Sequence, residues 1–288
     1  TTTDDPGRWY EDSQFSIAPP TDDHPFFGHY FKWEQSAEVL DNLGRTWQPF
    51  GGAGYLVLVA FLVLATASAV SLIVAPVAVR RQKGSLASGG LRWWTVGYFG
   101  MLGLSFLLVE IPLVQLFILL IGDATMAFAV VLFAVLVASG GGSMLSPRVS
   151  WSRGAIGLTL VAFISPILIR ALTPIVLAAP LPARVAAGIA VIAPLGFLMG
   201  IMFPHGIAHL ERRAPNLIPW AWAINGTVSV ISAVVAALLA LSFGFSMVLT
   251  VGAVGYGLAA VLALRADRSL LGTGERNERD GPQVLSVN

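Results

Sequence analysis

The stretch WTVGYFGMLGLSFLLVEIPLVQLFILLI, residues 94–121, decides the fold: it holds 28 residues with a single charged side chain, Glu110. About 20 apolar residues of α-helix, rising about 1.5 Å each, cross the ~30 Å hydrocarbon core of a bilayer. Six further apolar runs of comparable length follow from the same reading, at residues 52–79, 124–143, 154–176, 183–203, 219–241 and 245–264. In all of them the apolar residues are continuous rather than alternating. Inside lipid every backbone N–H and C=O must also be paired within the segment, which favours helices over barrel strands. The expected fold is therefore an all-α integral membrane protein of about seven transmembrane helices over residues 51–265. The short links Gly122-Asp123 and Phe243-Gly244 predict antiparallel neighbours on either side of each.

Composition agrees. Of the 288 residues, 56% are hydrophobic and 11% charged, and the mean hydropathy is +0.76. An ordinary soluble domain carries about 25% charge, so a typical soluble enzyme is excluded. A net charge of +1 gives no electrostatic reason to expect nucleic acid as a partner. The chain has no cysteine, which excludes disulfides and thiolate chemistry.

Charge is unevenly placed. Residues 1–50 carry nine acids against Arg8, Lys32 and Arg45, a net of −6. This acidic extramembrane head contains PPTDDHPFFGHYFKW, whose prolines, paired acids and aromatics predict an ordered, non-helical piece. It is too short to bury a core alone and is expected to pack on something else. Thr1 rather than Met opens the sequence, so a processed chain or a piece of a longer one is expected. Residues 266–288 read as a polar, disordered tail.

The basic residues fall in four groups: Arg80, Arg81, Lys83 and Arg92; Arg148 and Arg153; Arg212 and Arg213; and Arg265, Arg268, Arg276 and Arg279. With seven spans all four lie on one side. The positive-inside rule then places the C-terminus in the cytoplasm and the head outside, in a bacterial inner membrane. Trp93, Trp94, Trp220 and Trp222 are expected as belt aromatics on the basic side.

A charged side chain within a span is costly unless paired or hydrated, which makes Glu110 and Arg170 the first candidates for binding a substrate or ion. Counted along their helices, both fall roughly 25 Å from the basic side, which predicts an ion pair between them. Pro112 should bend the helix beside Glu110, and Gln115 adds an amide one turn further on. Asn225 is the fourth candidate, one turn inside Trp220. A lone carboxylate is weak support for a proton relay, so helix packing competes with ion binding as the role of these residues.

His205 and His209, four residues apart, share one helical face, a spacing that can hold a metal with Glu211 as a third ligand. Such spacing without an HExxH motif is common by chance, and histidines near headgroups are the plainer reading, so no cofactor is predicted beyond this candidate metal. No nucleotide-binding, nucleophile-elbow or kinase motif is present. Gly140–Gly142 close a hydrophobic span and predict a flexible helix end, while Gly196 and Gly200 form a GxxxG packing motif.

Four stretches, TDDHPFFGHYFKW, VEIPLVQLFILLIGDATMAFAVVLFAVLVASGGGSML, PLGFLMGIMFPHGIAHL and PWAWAINGTVSVISAVVAALLALSFGF, occur in this order between residue 18 and about 260. Together they resemble the C-terminal membrane region of bacterial multi-pass, spermidine-synthase-like proteins. In that family an aminopropyltransferase-like domain precedes a junction similar to Thr21, Asp22, Asp23, Pro25, Phe26 and Phe27 here, with His24 where a basic residue is usual. The resemblance implies that Asp22, Asp23, Phe26 and Phe27 contact a partner, and that Glu110 and Gln115 occupy family positions. Pro112, Leu116 and His205 depart from the pattern, which weakens the transfer of a binding role to these positions. Residues 1–50 are too short for a cofactor-binding sheet, so aminopropyl transfer by this chain alone is not expected.

Three functions follow in order. The first is a non-catalytic membrane module, an anchor or subunit for a partner domain or a larger membrane complex. The second is a transporter or conduit for a cationic or amphiphilic solute, lined by Glu110, Gln115 and Arg170. The third is a membrane metalloenzyme using His205 and His209.

Overall fold

The computed structural model describes residues 17, 19–26, 32–35, 37, 53–71, 75 and 89–279, with the backbone alone for residues 268–279. Seven α-helices are found among them: α1 (Ala53–Ala69), α2 (Gly89–Ile121), α3 (Ala124–Leu145), α4 (Trp151–Leu177), α5 (Leu181–Arg213), α6 (Ile218–Phe243) and α7 (Phe245–Arg279). The helices from α2 to α7 are long and apolar enough to cross a membrane, and α1 is a shorter apolar helix of 17 residues. The chain is an all-α multi-pass membrane protein. The rest of the first expected span, at 72–74 and 76–79, and the basic residues Arg80, Arg81 and Lys83 lie outside the described residues.

Local chemistry sets the ends. After α2, Gly122 adopts φ +82° and its N–H reaches Ile118 O, while Asp123 caps α3 by accepting the Met126 N–H at 2.6 Å. Gly244, also at φ +82°, turns α6 directly into α7. Both links join antiparallel neighbours, as their brevity required. α7 runs on to Arg279, through the first half of the segment expected as a disordered tail.

Helix α2 is central. It packs most extensively on α6 and α7 and also touches α3 and α5; α4 is wedged between α5 and α7, and α1 leans on the outside of α6. Phe61, Leu64, Phe133 and Ile167 are exposed on the periphery, where lipid is the solvent. Apolar tails attract helices no more than other helices do, so close approach and interhelical hydrogen bonds must hold the bundle. Ser232 Oγ donates to Leu104 O at 2.6 Å, and Ser229 Oγ lies 3.1 Å from Gly103 O, both across the α2–α6 seam.

The α3–α5 crossing depends on missing side chains. A Cβ at Gly142 would strike Phe197 O, and one at Gly200 would strike Ser139 O. The GxxxG pair therefore packs, as expected. The glycine triplet does not end its helix: α3 continues to Leu145, and Gly142 is buried under α5.

The bundle has two distinct ends. The starts of α2, α4 and α6 and the end of α5 gather Arg92, Arg148, Arg153, Arg212 and Arg213, and Arg265 of α7 joins them. The opposite end holds the turns at Gly122 and Gly244 and receives the acidic segment. These are the basic end and the head end below.

Candidate functional site

At the head end, residues 21–26 are seated on the α6–α7 turn. Thr21 and His24 close a small turn through paired backbone hydrogen bonds. The two groups that an N-cap normally supplies from its own helix come here from Asp23, distant in sequence. Its carbonyl accepts the Phe245 N–H at 2.9 Å, and its carboxylate accepts the Ser246 N–H at 2.8 Å and the Ser246 hydroxyl at 2.6 Å. Gly244 is required beneath it, since a Cβ there would lie 2.6 Å from Asp23 Oδ2. The His24 ring Nε2 meets Leu241 O, a free carbonyl of the last turn of α6, at 2.7 Å. Phe26 packs on Phe245 with centroids 5.6 Å apart and joins the small apolar cluster of Leu108, Ala236, Ala240 and Val248. Tyr55 on α1 adds a 3.0 Å hydrogen bond to Ser242.

Asp23 and Phe26, expected as contacts for a partner, thus bind this chain's own bundle. Asp22 is exposed beside them, and Phe27 lies outside the described residues.

Arg170 belongs to this site and not to Glu110. Its Nη2 donates to Ser246 Oγ at 3.0 Å and lies 3.9 Å from the Asp23 carboxylate, with the Arg170 side chain 71% exposed. The expected Glu110–Arg170 pair is corrected for a physical reason. α4 packs mainly on α5 and α7 and touches α2 only slightly, so equal depth along two helices does not bring these two side chains together. Arg170 is also only seven residues from the end of α4, about 10 Å, so its long side chain reaches the head end.

Glu110 is 9% exposed on α2 and forms no hydrogen bond or ion pair among the described residues. Helix α2 continues through Pro112. Gln115 and Asn225 are half-buried. Asn225 lies where α6 crosses α2, its carbonyl against Gly103.

At the basic end, aromatic side chains from α2, α4 and α5 interlock. The Trp94 and Tyr98 rings stack at 4.9 Å, Tyr98 donates to Met202 O at 2.7 Å, and Trp151 Nε1 donates to the Tyr98 hydroxyl at 3.1 Å. His205 Nε2 meets Val149 O at 2.9 Å while its ring stacks on Trp151. His209 is buried between Trp94 and Trp151, and its Nδ1 has no hydrogen-bond partner among the described residues. Glu211 is exposed. Among the described residues no three His, Cys, Asp or Glu side chains are grouped to hold a metal, so His205, His209 and Glu211 do not assemble a ligand set.

Of the expected belt aromatics, Trp93 and Trp222 are exposed, whereas Trp94 turns inward and donates to Leu262 O. Sequence reading missed the roles of Trp94, Tyr98, Trp151 and Ser246. The four-residue spacing of Trp94 and Tyr98, which puts both on one face of α2, was the available signal.

Neither a family model, nor a curated protein, nor a solved structure matches this chain.

Proposed function

We propose that this chain is a non-catalytic membrane module, related to spermidine-synthase-like membrane proteins, that anchors an extramembrane partner domain or a larger complex at its head end. The observation that carries this reading is the seat of Asp23, His24 and Phe26 on the α6–α7 turn. Four hydrogen bonds and an aromatic contact fix a short polar segment to a membrane bundle, and whatever is joined to that segment is held in a defined orientation. Asp22 stays exposed at the junction and is available to a partner.

The head is proposed to lie outside and the basic end in the cytoplasm of a bacterial inner membrane. Six described arginines at one end support this orientation under the positive-inside rule. The absence of cysteine allows single-cysteine labelling without background.

The test is intact-mass and cross-linking analysis of the native assembly, comparing wild type with Asp23→Ala and Phe26→Ala. A stable partner that is lost from both variants supports the reading. A wild-type chain that purifies alone from its native membrane would sink it.

A second reading, a conduit for a cationic solute, is favoured by one feature: Glu110, within a span where a carboxylate is costly, makes no hydrogen bond or ion pair among the described residues. Proteoliposome flux abolished by Glu110→Gln would support it over the first.

A further inference from the structure

A narrow apolar cleft opens between α2, α4 and α5 in the half of the bundle nearer the head end. Phe117, Leu120, Val176 and Ile192 are typical of its walls, and Thr173 is its one polar lining residue. The Thr173 hydroxyl already donates to Ile169 O at 2.8 Å, so the cleft offers no free donor to a polar guest. Ile167 and Ile175, both 70% exposed, flank it on α4, which makes its surroundings hydrocarbon rather than water. On α5 the cleft runs from Ala187 to Ile192, about 7.5 Å, and Arg184 lies one turn beyond Ala187 toward the head end.

Its rim at the head end carries a cation. Arg184 Nε donates to Ala179 O at 2.7 Å, and Nη1 reaches Leu120 O at 3.4 Å, where Leu120 is itself a wall of the cleft. These bonds fix the guanidinium beside Leu120, at the head-end limit of the cleft. Nη2 makes no hydrogen bond to the described residues, which leaves its two N–H groups for a bidentate or charge-assisted contact.

We infer that this cleft binds one phospholipid of the head-end leaflet, its acyl chain lying between α4 and α5 and its phosphate on Arg184. An apolar slot ending in an oriented cation at headgroup depth matches a lipid with an anionic head. It does not match a soluble anion, which would find no polar wall, nor an uncharged hydrocarbon, which would make no use of Arg184. The site is distinct from the seat of Asp23 and does not depend on the anchoring role.

The test uses the full chain in detergent micelles, titrated with phosphatidylglycerol and read by native mass spectrometry. Wild type is expected to retain one phosphatidylglycerol. Arg184→Gln should lower the retained fraction about tenfold, the usual effect of losing a charge-assisted hydrogen bond. Arg184→Lys should recover part of it. Ala187→Phe, which fills the slot from α5, should abolish retention while leaving Arg184 intact. Diacylglycerol, which has the tails without the phosphate, should not compete. Equal retention by wild type, Arg184→Gln and Ala187→Phe would overturn the proposal, as would equal competition by diacylglycerol. As a check on folding, phosphatidylglycerol should raise the melting temperature of wild type and not that of Arg184→Gln. A lipid-dependent rise of equal size in both would also overturn it.

Discussion

The carboxylate of Asp23 and the guanidinium of Arg170 lie 3.9 Å apart at the head end, with the Ser246 hydroxyl donating to the first and accepting from the second. This arrangement joins three parts of the chain that are remote in sequence: the acidic head, the end of α4 and the start of α7. The two charges contribute unequally. Asp23 satisfies backbone donors that α7 cannot pair internally, whereas Arg170 is largely exposed and its attraction is screened by salt.

Asp23→Ala should therefore lower stability by about 0.5–2 kcal/mol, the usual cost of a lost N-cap. Arg170→Gln should cost at most about 1 kcal/mol, and less at high ionic strength. Melting in detergent at low and high salt measures both. A larger loss for Arg170→Gln than for Asp23→Ala would show that the cap is not what seats the head.

A double-mutant cycle separates the observed pairing of Arg170 from the one expected by depth alone. Asp23→Asn with Arg170→Gln should give a coupling of about 0.2–1 kcal/mol. Glu110→Gln with Arg170→Gln should be additive within about 0.5 kcal/mol, because the two side chains share no partner. Strong coupling in the second cycle would restore the Glu110–Arg170 pair.

Two glycines of α3, Gly140 and Gly142, should behave oppositely. Gly142→Ala drives a methyl into Phe197 O and should cost about 1–3 kcal/mol as overpacking, while the Gly140 Cβ position is open. Gly140→Ala should be neutral or stabilising by up to about 1 kcal/mol, since alanine favours the helix. Melting curves of the two variants decide it; equal losses would mean that α3 and α5 do not approach as closely as described.

His205 is engaged by Val149 O and Trp151, not by a ligand set. Removing divalent metals with a chelator should leave the melting temperature unchanged. His205→Ala should cost about 1 kcal/mol through the lost hydrogen bond. A chelator-induced drop that is absent in His205→Ala would instead establish a metal there.

The sequence by itself determined the solvent and the elements. Long uncharged runs have one low-energy form in lipid, so helices α2 to α7 and the sidedness of their arginines were readable from residues 89–267 alone. Short links such as Gly122-Asp123 fixed which neighbours are antiparallel. The GxxxG of Gly196 and Gly200 announced a close crossing, though not that α3 would supply the other side. Only the tertiary structure decided which faces meet. In lipid an outward-facing leucine and an inward-facing one read alike, so the faces of α2 and α4 carried no signal that Arg170 turns toward Asp23 and Ser246 rather than toward Glu110. Nor could spacing along the chain show that Asp23 would cap a helix beginning at Phe245, because that hydrogen bond forms only after α6 and α7 have folded back at Gly244.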